Sequence, residues 1–222
     1  MRIDAIEKYF KLAIEDLYER DGYLLENGHN IHEQAISHRL AVYLERRFAY
    51  YAPYKRLGLS VDCEYNKNKE NLKTVYKACG SNCRHSTIRC FIKECQENIM
   101  IRSEGENIIY DNAYDFVCHY GADGKSSRPD ILVHKRGENK PTNNLIVEVK
   151  KQNNLDENDK RIDKIKLSYF TCKEPNSEYQ YQIGYYVECG ENKANILRFI
   201  RGRIHGALHF DATTRQWSST DD

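Results

Sequence analysis

The chain has 222 residues, a formal net charge of +1 with His neutral, 40% apolar residues and 30% charged ones. That is the length of one ordinary domain and the composition of a globular one, and with only 4 Pro and 12 Gly it excludes a collagen-like or linker-dominated chain. No apolar run approaches the roughly 18 residues of a membrane helix, and MRIDAIEKYF has acidic residues where a signal peptide would carry its apolar core. The expectation is a soluble cytoplasmic protein with no membrane partner, whose eight cysteines stay reduced.

In chain order, residues 3–20 place Ile3, Ile6, Phe10, Ala13, Ile14 and Leu17 at helical spacing. A connection follows, and 31–50 read as a second helix with Ile36, Leu40, Tyr43, Leu44 and Phe48 as its apolar stripe and Pro53 beyond its end. LSVDCEY at 59–65 alternates as a strand, with Leu59, Val61, Cys63 and Tyr65 on one face. Residues 67–127 break the pattern and read as an insertion, with 108–120 supplying one or two further strands. DILVH at 130–134 and NLIVEVK at 144–150 are short apolar strands joined by a hairpin-type link. A helix at 156–172 and strands at 179–188 and 194–202 complete the order. The reading is one α/β (α+β) domain over 1–222, with a central mixed sheet flanked by helices.

The informative chemistry is Arg128-Pro129-Asp130, followed eighteen residues after Asp130 by Glu148-Val149-Lys150. Glu148 and Lys150 are two apart on a strand and so share a face. If the neighbouring strand pairs with it, Asp130 joins them at one sheet edge. Two carboxylates there can hold a hard divalent cation through oxygen, and a lysine beside them can stabilise the charge of a phosphoryl group under attack. The other reading is a strand with ordinary cross-strand salt bridges.

These residues resemble the PD-(D/E)xK nuclease superfamily, with its restriction-endonuclease-like core, and more narrowly a group of small, mostly uncharacterised bacterial members. The pattern similar to theirs runs Glu33-x-Ala35-Ile36-Ser37-His38-Arg39-Leu40, then Val61-Asp62-Cys63-Glu64-Tyr65-Asn66, then the two motifs above, then Asp163-x-x-Lys166-Leu167 and Tyr181-x-x-Gly184. The resemblance implies a nuclease fold with a Mg²⁺ (or Mn²⁺) site. It assigns Asp130, Glu148 and the main-chain oxygen of Val149 as metal ligands and Lys150 as the catalytic lysine. Glu64 faces the site in this reading and Glu33 contacts a metal-bound water or second ion. Asp62 and His38 stand behind them as supporting residues. For Glu33 the alternative is a carboxylate favoured by the helix N-terminus; for Asp62 and Glu64 it is an exposed sheet face.

The rest of the chain adds partners rather than chemistry. Residues 67–93 carry seven basic and one acidic side chain, and 194–210 carry Arg198, Arg201 and Arg203 with no carboxylate. These are read as nucleic-acid-binding positions. Cys79, Cys83, Cys90 and Cys95, with His85 between the pairs, offer four ligands for a structural Zn²⁺; reduced thiols in a basic insertion are the alternative. Cys63 and Cys189 are expected as packing residues, and His134 shares a face with Asp130. The function expected is metal-dependent hydrolysis of phosphodiester bonds, in DNA, with a homodimer left open. The alternative is a catalytically silent module of the same fold that binds nucleic acid or a partner in a defence system.

Overall fold

The computed structural model describes residues 1–28, 31–63, 67–68, 71–72, 74–75, 125–126, 128–138, 142–152, 157–173 and 179–220. Helix α1 spans Ile3–Asp21 and runs through a 3₁₀ turn, Gly22–Leu25, toward α2 at Glu33–Phe48. A short helix, α3 at Ala52–Arg56, carries Pro53 in its first turn, where the missing N–H costs nothing. The strands are β1 (Ser60–Cys63), β2 (Ile131–His134), β3 (Leu145–Lys151), β4 (Ile183–Cys189), β5 (Lys193–Ile200), β6 (Arg203–Asp211) and β7 (Gln216–Thr220). Helix α4, Glu157–Thr171, lies between β3 and β4 in sequence.

These seven strands form one mixed sheet whose spatial order follows the chain. All neighbours pair antiparallel except β3 and β4, which are parallel. A parallel pair needs a long crossover, and α4 supplies it. Two smaller antiparallel pairings lie outside this sheet: Lys67–Asn68 with Asn71–Leu72, and Thr74–Val75 with Lys125–Ser126.

Strand periodicity divides the core into two layers. Ile131, Val133, Leu145, Val147, Val149, Ile183, Tyr185 and Val187 face α1 and α2. They meet Ile6, Phe10, Ala13, Ile14 and Leu17 of α1 and Ile36, Leu40, Leu44 and Phe48 of α2, all buried. Phe10 stacks on Tyr185 with ring centroids 4.1 Å apart. On the opposite face Leu132, Ile146, Tyr186 and Phe199 are covered by Leu167 and Phe170 of α4 and by Tyr179 and Tyr181. Because both faces of β2, β3 and β4 are covered, these strands read as nearly continuous apolar runs.

Residues 203–220 differ from expectation. The sequence reading stopped at a strand ending near residue 202, whereas β5 turns back through Arg201 and Gly202 into β6, and β6 into β7. Arg201 and Gly202 both have positive φ, 54° and 79°, as a two-residue type I′ hairpin requires. Cys63 is also misread: it is exposed at the end of the edge strand β1, while Cys189 is buried in β4 as expected. The strands expected over 108–120 and the insertion over 67–127 lie almost wholly outside the described residues.

Candidate active site

Asp130 immediately precedes β2, one position beyond the Ile131–Val147 pair, and so comes level with Glu148 on β3. Its Oδ2 accepts a 2.7 Å hydrogen bond from the main-chain N–H of Val149, which fixes the carboxylate across the strand end. Glu148 is 3% exposed, and its Oε1 is buried with no hydrogen-bond partner. Lys150, two residues on along β3, shares the α4-facing side with Glu148. Its Nζ lies 3.0 Å from Oδ2 of Asp163 on α4 and 3.2 Å from Oε2 of Glu33.

Glu33 reaches this point from the other layer. It opens α2, which packs on the opposite face of the sheet, and its side chain meets Lys150 and Lys151 near the end of β3. The other oxygen, Oε1, accepts from the Lys151 main-chain N–H at 3.1 Å. The Lys151 ammonium points away and donates to the Glu26 carbonyl. Asp163, buried within α4, uses its second oxygen to accept from Lys166 at 2.7 Å, an i,i+3 pair on the helix.

The cluster therefore holds four carboxylates (Glu33, Asp130, Glu148, Asp163) and two ammonium groups (Lys150, Lys166). With all six ionised it carries two negative charges in excess. The electrostatics reflect this. Burial, with the Asp163 charge nearby, pushes Asp130 up to about 6 against the opposing Val149 hydrogen bond. Burial and the charges of Asp163 and Asp130 raise Glu148 well above the ordinary glutamate value, opposed by Lys166 and Lys150. Burial works against the charge of Lys150, but Asp163 and then Glu33 overcome it and raise the group above its usual value.

Other predicted residues lie elsewhere. Asp62 is buried on β1, but its carboxylate is taken by His134 Nε2 at 2.9 Å and by a two-pronged contact from Arg136. Antiparallel pairing explains this: Asp62 sits opposite Leu132, on the stretch of β2 that leads away from Asp130 toward His134. His38 is exposed on α2, five residues from Glu33 and off its face, so it does not join the cluster. Arg198 is bound to Glu7 of α1 (3.0 Å) and to the His205 carbonyl (2.6 Å), on the layer opposite Glu148. Arg201 and Arg203 are exposed at the β5–β6 turn, which lies by the start of β4 and not by the Lys150 end of β3. None of the three arginines meets the cluster. Glu64, Cys79, Cys83, Cys90 and Cys95 lie outside the described residues.

Asp163 and Lys166 are the members that the sequence analysis did not assign a role. Their signal was present: an Asp and a Lys at i,i+3 on the helix that follows the Glu148–Lys150 strand. Helical spacing alone gives a surface ion pair as readily as a site residue. Placing them required knowing that α4 covers the same face of β3.

Among the described residues no group of three or more His, Cys, Asp or Glu side chains is arranged so that it could hold a metal ion by itself. Mg²⁺ does not demand one, since it commonly takes one or two carboxylates and completes its shell with water and phosphate oxygens. The orphaned Glu148 oxygen, the adjacent Asp130 and the excess of two negative charges fit such an ion. Comparison with known proteins found no matching family model, no matching curated protein and no matching solved structure.

Proposed function

We propose that this protein is a metal-dependent phosphodiesterase of the PD-(D/E)xK type that cleaves DNA, with a restriction-endonuclease-like core and its active site at the end of β3. The observation that carries the reading is the convergence of Asp130, Glu148 and Lys150 beside a buried carboxylate oxygen that has no partner. A lone unsatisfied carboxylate oxygen in a protein interior is costly, of order 1–3 kcal/mol or more. Its retention is explained by a ligand that completes it.

Asp130 and Glu148 would hold Mg²⁺ or Mn²⁺, with the main-chain oxygen of Val149 as the third donor that the resemblance implies. Such an ion supplies a water of lowered pKa and positive charge at the phosphoryl oxygens. The protein's own residues orient and neutralise. The Val149 amide fixes the Asp130 carboxylate. Lys150, kept protonated between Asp163 and Glu33, places a cation where negative charge grows on the phosphoryl group as one P–O bond forms and the other breaks. Glu33 joins the start of α2 to the end of β3, so that Lys150 is held from two layers of the fold.

The test is a cleavage panel of circular duplex DNA, linear duplex DNA, single-stranded DNA and RNA, with Mg²⁺ or Mn²⁺ against EDTA. Wild type is expected to cut DNA only with metal. Lys150→Ala is expected to lose at least about 100-fold in rate, the range for removing a group that stabilises transition-state charge, while still binding DNA. Cleavage by this variant at the wild-type rate would remove Lys150 from the mechanism. DNA binding without cleavage on any substrate would favour the silent module.

A further inference from the structure

Asp163 does more than neutralise Lys150. Its two oxygens are divided between two cations, with Oδ2 to Lys150 at 3.0 Å and Oδ1 to Lys166 at 2.7 Å. The carboxylate is buried at 5% exposure, while the Lys166 and Lys150 side chains keep 19% and 16%. Lys150 is shared with Glu33 at 3.2 Å, so Lys166 gives Asp163 a cation of its own. The second lysine, from a different element, brings the run Glu33–Lys150–Asp163–Lys166 to charge balance, and its partly accessible side chain stands at one end of that run. The neighbouring lysines of α4 are committed to strand β4: Lys160 pairs with Glu188 at 3.3 Å, and Lys164 lies 4.9 Å over the Tyr186 ring. Lys166 alone among these three is tied to the carboxylate that also holds the catalytic lysine.

We propose that Lys166, held in place by Asp163, is a second phosphate-binding cation of this site and grips the DNA backbone beside the phosphate that Lys150 serves. The inference rests on the nuclease reading and names a contact that reading does not include. Its chemistry is plain charge neutralisation: a lysine against a backbone phosphate releases condensed counterions and adds to the salt dependence of binding. Asp163 acts as a positioning residue, because it fixes the ammonium groups relative to each other before DNA arrives.

The experiment is fluorescence anisotropy of a fluorescein-labelled DNA duplex, titrated with wild type, Lys166→Ala, Lys166→Gln and Lys166→Arg over a range of NaCl, with Ca²⁺ held constant in place of Mg²⁺. Lys166→Ala and Lys166→Gln are expected to weaken binding several-fold and to lower the slope of log affinity against log salt by about 0.9, one phosphate contact on duplex DNA. Lys166→Arg is expected to restore the slope. A merely structural lysine would lower the melting temperature without moving the slope, so melting curves accompany each variant and Lys166→Gln stands in if Lys166→Ala does not fold. A wild-type slope in Lys166→Gln, with wild type binding normally, overturns the proposal and leaves the nuclease reading standing. Failure of wild type to bind the duplex overturns both.

Discussion

Asp62 shows how far a single buried carboxylate can be read from its surroundings. Burial alone would raise it, but the hydrogen bonds of His134 and Arg136 prevail and hold it well below the ordinary aspartate value of 3.8. A carboxylate depressed in the folded state binds fewer protons there than in the unfolded chain. The stability it contributes is complete above 3.8 and is lost as the pH falls below that value. Urea melts at pH 7 and pH 3 are therefore expected to show a loss for wild type that is smaller in Asp62→Asn. At pH 7 the variant should itself be about 1–3 kcal/mol less stable, since Arg136 and His134 lose a charged acceptor. The contrast with Glu148 is instructive. Both are buried acids on the α4-facing side of the sheet, yet one has every partner it needs and the other has an oxygen with none. That difference, and not acidity or burial, separates the structural group from the candidate site.

At the scale of elements, the parallel β3–α4–β4 unit sets the site geometry, and its tightest point is Gly184. A Cβ there would meet Thr171 Cγ2 at 3.1 Å, Leu167 Cδ2 at 3.2 Å and Ile146 Cγ2 at 3.4 Å. A β-branched side chain there forces the Thr171, Leu167 and Ile146 side chains to give way by a few tenths of an ångström or more. Gly184→Val is expected to destabilise by about 1–3 kcal/mol, read by denaturant melts, and to weaken the proposed activity by shifting Asp163. This unit was the legible part of the chain. The apolar runs of β2 and β3 and the helix between β3 and β4 stand where the sequence places them, although Leu167, expected partly buried, is fully buried and the side chains of Ile162 and Ile165 lie outside the described residues. The expected Asp130–Glu148 adjacency needed only an antiparallel pair, and that pair formed. Two features were not legible. In strand β6 a register shift between Ile204 and Ala207 puts Ile204 against the α4-side layer while Leu208 and Phe210 join the α1-side layer, so the alternation in sequence does not mark a single buried face. The Arg198, Arg201 and Arg203 cluster looked like one surface because the three are close in sequence. A hairpin turn and strand alternation send Arg198 to Glu7 beneath α1 and leave the other two at the far end of the sheet.

For the whole molecule, the excess of negative charge at the end of β3 sets folding stability against the proposed metal site. In the absence of a cation, Asp130 and Glu148 are each pushed up by burial and by their acidic neighbours, so ionising them near neutral pH costs folding free energy. Removing one of the charges should relieve that cost. In EDTA at pH 7.5, Glu148→Gln is therefore expected to melt above wild type, by a margin corresponding to about 1–3 kcal/mol. A divalent ion should relieve the same cost in wild type by binding the folded state alone. At a concentration 100-fold over its Kd, stabilisation is about 2.7 kcal/mol, or roughly 5–10 °C for a chain of this size. The two effects draw on one source and cannot add. Mg²⁺ or Mn²⁺ should raise the melting temperature of wild type by several degrees and leave Glu148→Gln nearly unmoved. A thermal-shift series with both metals and both proteins reads this without reference to any substrate. Equal shifts in the two proteins would mean that the ion binds elsewhere, and the orphaned Glu148 oxygen would then need a different explanation.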